Sequence, residues 1–525
     1  SGFNSVGLWQ IQHCLYSVVS STLSHLHSFN FFLSMESTGS SEFQYQSGFG
    51  NHHSSEALPG ALPIGQNSPQ VCNYGLYAEQ LSGTAFTASR HRNLRSWLYR
   101  IRPSVVHNVY EAMPDASPEQ KICHQFDALK VDPNQMRWSP PEPITSANRA
   151  DFIQGLHLMC GVGDPALKSG LSIYTYTCNA SMHKKSFLNS DGDSLIVPQE
   201  GGLIFKTELG FLKVCPNEIC VIPRGIKYSV LLCERDGEAS CHGYVVELFQ
   251  GHFELPGLGP IGANGLANAR DFQAPVAWFE DIDDADYTLV NKFQNRCFQA
   301  TMAHSPYDVV AWHGNYYPFK YDLTLFNCMN TVTFDHPDPS IYTVLTCPSG
   351  AEPGVAVLDF VIFPPRWMVA QNTFRPPYYH RNCMSEFMGL IYGKYDAKAG
   401  NAPARGAGGG ETKAQVVEGF VPGGSSLHSC MTPHGPDTAT FLKASNAPEP
   451  QPPVYFDQGL AFMFETCYML KVAPTAAAAA AGQDTPPLAP LQQPGYSACW
   501  QSLPKLFNGS PNVSLPPPPP PPAPK

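Results

Sequence analysis

Between Leu171 and Leu248 seven short apolar segments alternate with turn residues, and this punctuation constrains the fold more than any other feature of the chain. The segments are 173–177, 194–197, 203–207, 211–214, 219–222, 228–232 and 244–248. They are divided by Asp191-Gly-Asp193, Glu200-Gly-Gly202, Gly210, Pro216-Asn217 and Pro223-Arg-Gly225. Runs this short are too brief for helices, and turns at such close spacing leave no length for the crossover helices of a parallel sheet. A sandwich or jelly-roll barrel is the expected result. With 50 prolines, 43 glycines and only 14% charged residues, the chain has little material for long solvent-laced helices. The fold class expected is mainly β, in two domains with few helices.

The formal charge of −11 and a pI near 5.9 provide no basic surface for nucleic acid or an anionic membrane, and a small-molecule partner fits better. Sixteen cysteines lie singly from Cys14 to Cys499 with no C-x-x-C pair, which reads as free thiols in a reducing compartment and predicts a cytoplasmic location. Sequons at Asn179, Asn508 and Asn512 would matter only in a secreted protein. Residues 6–34 are apolar, yet the first Lys or Arg of the chain is Arg90, so the basic region of a secretory signal is missing. Residues 1–44 are read as an extension, either unstructured or a translated leader ahead of Met35.

A strand pattern begins at Arg95, with Trp97, Tyr99 and Ile101 on one side and Leu98 and Arg100 on the other. A second β-rich block covers 341–345, 355–363 and 461–470. The domains expected are 45–322 and 323–511, the second carrying low-complexity insertions near 397–419 and 473–494, with a proline-rich tail over 512–525. The glycine-rich run from Gly259 to Gly265 lacks Gly-Lys-[Ser/Thr] and reads as a structural loop.

Chemistry concentrates in His380-Arg-Asn-Cys-Met-Ser-Glu386 and Met431-Thr-Pro-His434-Gly-Pro-Asp437. Two imidazoles and one carboxylate are the ligand set that covers one face of an iron(II) ion and leaves the other open to an organic substrate and O2. His380 and Glu386 are six apart, so they share a face of a strand or stand on two arms of a turn. Pro376 and Pro377 disfavour a helix there, and Thr-Pro-His-Gly-Pro makes a rigid turn around His434. Among 18 histidines and 43 acids, ordinary structural pairing meets the same spacing, so the residues alone leave both readings open. They also leave open zinc or manganese in place of iron, and a non-enzymatic binding protein in place of an enzyme.

Pro216 to Gly225 resembles the second characteristic segment of cupin barrels, in which a metal-binding histidine follows the P-x-G turn. Here Ile226, Lys227 and Tyr228 follow, which implies a cupin-like first barrel without a metal. The segments 376–390 and 423–437 resemble the iron-binding segments of the homogentisate 1,2-dioxygenase family. Tyr45-Gln-Ser-Gly-Phe-Gly-Asn51, Leu76-Tyr-Ala-Glu-Gln-Leu-Ser-Gly83, Arg95-Ser-Trp-Leu-Tyr-Arg100 and Phe334-Asp-His-Pro-Asp-Pro-Ser340 are similar to it as well, so the likeness runs from Tyr45 to near Val472.

The resemblance implies that His380, Glu386 and His434 bind Fe(2+), that His336 is the catalytic acid/base, and that Tyr395 and His434 contact the substrate. It also implies that His428 lies behind the ligands and orients a ligand or the substrate. His313 reads as structural. The activity implied is opening of the homogentisate ring with both atoms of O2 to 4-maleylacetoacetate, in tyrosine and phenylalanine catabolism. The family's assembly implies a homo-oligomer, a hexamer. Two departures stand out: the join from Tyr395 to Gly423 is longer than the family's, and 473–494 is an insertion.

Overall fold

The computed structural model describes residues 43–233, 240–257, 266–283, 286–329, 342–367, 373–374, 376–395, 419–448, 452–474, 492–511 and 515–517. The short apolar segments form strands between the turns that bound them. Segment 173–177 lies within Ser169–Cys178, 203–207 is the strand Leu203–Thr207, and 244–248 closes Cys241–Leu248. Among the described residues the strands form sheets of nine, seven, four, six and two, and the helices are few and short, the longest being Thr438–Ser445. The mainly β expectation holds.

The nine- and seven-stranded sheets belong to the first half and share the principal core. Ser169–Cys178 is buried on both faces, so its sequence is a nearly continuous apolar and hydroxyl run rather than an alternation. Leu171, Ile173, Tyr174 and Tyr176 are all withdrawn from water, each contributing roughly 1.5–3 kcal/mol of burial. Between these two sheets stands a buried ionic group. Lys292 Nζ lies 2.7 Å from Glu247 Oε1 and 3.2 Å from Asp191 Oδ2.

Arg100 is likewise interior, with Asp308, Glu208 and Glu79 around its guanidinium. A cation can sit inside only because opposite charges replace its water.

The Pro223-Arg-Gly225 turn, marked by glycine at φ 86°, is tied down by charge. Asp193 Oδ1 accepts from Arg224 Nε at 2.8 Å, and Asp193 Oδ2 is 2.7 Å from His252 Nδ1. His252 Nε2 faces the carbonyl of Gly83 at 2.8 Å, so both ring nitrogens meet acceptors and the ring is held as an imidazolium. Burial opposes charge on Asp193, but His252 and Arg224 outweigh it and bring its carboxyl to about 2. Burial would lower His252, and Asp193 outweighs it and raises it.

The Asp193 contribution to stability is therefore present above about pH 4 and lost as pH falls toward its depressed value. The His252 contribution is complete below about pH 6.5 and lost as pH rises through the raised value. The stability gap between the intact protein and His252→Gln should accordingly narrow from pH 6 to pH 9 in urea unfolding. A gap independent of pH would refute the imidazolium.

The second half is built on a six-stranded sheet that includes Tyr342–Pro348, Ala356–Phe363, Ser385–Gly393, Ser425–His428 and Gly459–Thr466. The halves exchange edge strands. Met136–Trp138 completes the six-stranded sheet by pairing with Ser425–His428, and Lys471–Val472 joins the nine-stranded sheet along Leu156–Asp164. Among the described residues no helix is long and apolar enough to cross a membrane.

Candidate metal centre

Alternation along the central strands of the six-stranded sheet separates its two faces. Phe387 and Ile391, Phe462 and Phe464, Phe360 and Ile362, Leu427, and Met136 with Trp138 all enter the principal core. Their neighbours face the other way. Met388, Leu390, Val361, Ala461 and Met463 form a second apolar cluster with Tyr395 and Phe420. Glu386, one residue before Phe387, therefore opens onto the second face. The register sets His428 directly opposite it on one side and Glu465 on the other, so these three side chains are neighbours.

The two histidines named with Glu386 arrive on turns. His380 and His434 exchange backbone hydrogen bonds, His380 N to His434 O at 3.0 Å and the reverse at 3.1 Å. Their rings lie 4.3 Å apart at 63°. His380 and Glu386 stand on two arms of a turn, as one of the two sequence alternatives had it, because the strand begins only at Ser385.

The His434 turn holds Met431 at φ 60°, a left-handed conformation costing roughly 1–2 kcal/mol for such a side chain. It is braced from the first half, where the Pro133 carbonyl accepts from Thr432 Oγ1 at 2.9 Å. Beyond it Asp437 caps the helix Thr438–Ser445, its Oδ1 accepting from Thr440 N at 2.7 Å. Gly435 is required because a Cβ there would meet Tyr379 Cδ1 at 2.5 Å.

Hydrogen bonds decide which nitrogens face the centre. His380 Nδ1 lies 2.9 Å from Tyr378 O, and His434 Nδ1 lies 2.9 Å from Thr432 O. A carbonyl only accepts, so both Nδ1 atoms carry hydrogen and Nε2 is the nitrogen of each ring left to meet a metal. Those Nε2 atoms face Glu386, with His434 Nε2 3.0 Å from Oε2 and His380 Nε2 3.7 Å from Oε1. His434 Nε2 is buried and has no aligned hydrogen-bond partner among the described residues. Without a hydrogen, His434 Nε2 would set a lone pair against a carboxylate oxygen, an arrangement that a cation between them satisfies, and the three ligand atoms lie within 4.8 Å of one another. The donor set fits a metal ion.

Burial pushes the Glu386 carboxyl up, but the His380 and His434 rings beside it and His428 behind it outweigh burial and hold it well below the carboxylate range. Glu465 goes the other way. Burial, with the Glu386 and Asp359 carboxylates nearby, brings it to about 7 despite a hydrogen bond from Asn382. Asn382 Nδ2 reaches both acids, at 2.8 Å from Glu465 Oε1 and 3.3 Å from Glu386 Oε1.

Of the other residues singled out in the sequence, His428 is fully buried, its ring stacked at 4.2 Å and 9° on that of His434. Tyr395 is buried between Phe363 and Phe420, on the face that Glu386 shares. His313 lies in the four-stranded sheet, bonded to His52 and Tyr99 and away from the sheet that carries the centre. His336 lies outside the described residues, as does nearly all of the join between Tyr395 and Gly423. Glu465 and Asn382 carried no signal in the sequence; the pairing of Gly459–Thr466 with Ser385–Gly393 brings Glu465 to the centre, and Asn382 reaches Glu386 from four residues before it.

Residues 44–323 match the family model described as homogentisate 1,2-dioxygenase N-terminal, and residues 324–507 match the corresponding C-terminal model. The chain belongs to the homogentisate 1,2-dioxygenase family. Among similar members, that of Caenorhabditis elegans is 54% identical over 81% of this chain and 91% of its own length. The human homogentisate 1,2-dioxygenase is 51% identical over 90% of this chain and 99% of its own. The Drosophila melanogaster homogentisate 1,2-dioxygenase is 50% identical over 90% of this chain and all of its own. Membership makes the chain a metal-dependent enzyme, and His380, Glu386 and His434 form the cluster among the described residues able to take the metal.

Proposed function

We propose that the chain is an iron(II) dioxygenase that opens the ring of homogentisate to 4-maleylacetoacetate, with His380, Glu386 and His434 as the iron ligands. The observation that carries this is the convergence of two imidazole nitrogens and one carboxylate within 4.8 Å, in a chain of this family. Bound there, iron(II) would supply the Lewis acid at which a phenol and O2 meet.

The protein's own residues do the rest. Glu386 stays ionised and contributes the negative charge that selects a cation. His428 lies behind the ligands with Nδ1 3.9 Å from Glu386 Oε2, placed to orient that carboxylate or a bound substrate. Tyr395, in an apolar wall with Phe363 and Phe420, is assigned to hold the substrate ring. His336 is assigned, by family resemblance, to take the phenolic proton and return one later. The compartment proposed is cytoplasmic, in keeping with the free thiols of the described cysteines, and the assembly a homo-oligomer as in the family.

The test is anaerobic loading with Fe(II) followed by O2 uptake on adding homogentisate. Uptake is expected to depend on iron and to fall by about 10²-fold or more in His336→Ala, the usual scale of general acid–base help. Full activity with zinc alone would sink the proposal, and an unaffected rate in His336→Ala would remove that residue from the chemistry.

A further inference from the structure

Three imidazoles gather at the centre, and what distinguishes the third has its origin in the first half of the chain. His380 and His434 give their Nδ1 hydrogens to carbonyls. His428 is bonded through its other nitrogen, Nε2, which lies 3.1 Å from the hydroxyl of Tyr496.

That hydroxyl is buried, and burial raises it far above the usual tyrosine range, so it keeps its hydrogen. The Arg137 guanidinium lies 4.0 Å from the Tyr496 ring centroid and holds the ring in place. Placed 3.1 Å from His428 Nε2, the hydroxyl is in position to give it that hydrogen. An imidazole accepting at Nε2 carries its hydrogen at Nδ1, and Nδ1 is the atom that faces Glu386 at 3.9 Å.

Arg137 comes from Met136–Trp138, the strand that the first half lends to the six-stranded sheet. Met136 and Trp138 enter the principal core, so Arg137 faces the centre. It is 7% exposed, and its guanidinium also lies 5.9 Å from the ring of Phe420, which packs on Tyr395. Neighbouring residues of the same segment grip the His434 turn, with Gln135 Nε2 on Pro433 O and Pro133 O on Thr432 Oγ1.

We propose that Arg137 and Tyr496 are positioning residues that act through His428, holding it as an Nδ1–H donor toward the metal pocket while its two neighbours turn Nε2 to that pocket. One consequence is that His428 is excluded from the ligand set although it stacks on a ligand. Another is that it offers a hydrogen bond to an anionic group beside Glu386, such as an ionised phenol of the substrate. The proposal rests on the ring-opening function above.

Histidine ¹⁵N NMR on the intact metal-free chain tests it, with the His428 signal located by its loss in His428→Gln. The intact chain should show His428 as the Nδ1–H tautomer, and Tyr496→Phe should show a mixture or the opposite tautomer. Anaerobic homogentisate affinity of the iron-loaded protein should fall roughly 10-fold or more in Tyr496→Phe, the scale of a lost outer partner, with no further fall on adding Tyr496→Phe to His428→Gln. Arg137→Lys should retain more affinity than Arg137→Met.

An Nε2–H tautomer in the intact chain, a tautomer unchanged by Tyr496→Phe, or additive losses in the double variant would overturn the proposal. The tautomer is read without metal or substrate. Expected NMR results beside an intact chain that takes up no O2 would therefore leave the positioning in place and count against the function.

Discussion

Glu386→Gln is expected to lose retained metal and O2 uptake together while the fold stays intact. Glutamine keeps the volume of the side chain at a position only 7% exposed, so the alternation that packs Phe387 and Ile391 into the core is undisturbed. What disappears is the one negative charge among the three ligand atoms. The amide also brings an N–H that can donate to the lone pair of His434 Nε2, filling the space a cation needs. The loss should exceed the roughly 10–100-fold that removal of an outer partner costs. Iron per chain after desalting, measured beside the thermal midpoint, is the readout. One iron per chain retained with an unchanged midpoint would show that the carboxylate is not a ligand.

Lys292→Met should be the most damaging single change away from the centre, at about 3–5 kcal/mol of unfolding free energy, the usual cost of stranding a buried charge. Lys292 is 1% exposed, and removing its ammonium leaves Glu247 and Asp191 facing each other between two sheets. The carboxylate of Glu247 would still accept from Asn189 Nδ2 at 2.8 Å and Tyr174 Oη at 3.1 Å, which softens the loss without neutralising the charge. Adding Glu247→Leu should recover part of the stability, since an apolar replacement of a buried pair is often tolerated. Urea unfolding of the three proteins checks it; a loss within about 1 kcal/mol for the single variant would mean that the carboxylates simply take up protons.

Much of this architecture was legible in the chain. Strand 203–207 appears where Glu200-Gly-Gly202 and Gly210 bound it, because turn residues act locally and a five-residue apolar run has no other stable use. His380, Glu386 and His434 were legible as a set of residue types, and the family resemblance supplied their roles. Lys292 was not legible, since a lysine in a strand pattern reads as a solvent-facing residue until a second sheet covers it. Glu465, Asn382, Tyr496 and Arg137 were silent for the same reason. Each is chemically ordinary, and apart from Asn382, a near neighbour of Glu386, each lies far along the chain from the residue it meets: Glu465 from Glu386, Tyr496 from His428, and Arg137 from Ser426 opposite it.

The sequence by itself determined where strands and turns alternate, which residue types could bind a metal, and the family to which the chain belongs, because turn propensity and motif order are local properties. Tertiary structure decided which nitrogen of each histidine faces the centre and which half of the chain holds His428 in place. Those outcomes depend on strand register, where a shift of one residue turns every side chain to the opposite face. Glu386 meets His428 and Glu465 only because three strands pair in one register, and Arg137 reaches them only because the first half supplies the last strand of that sheet.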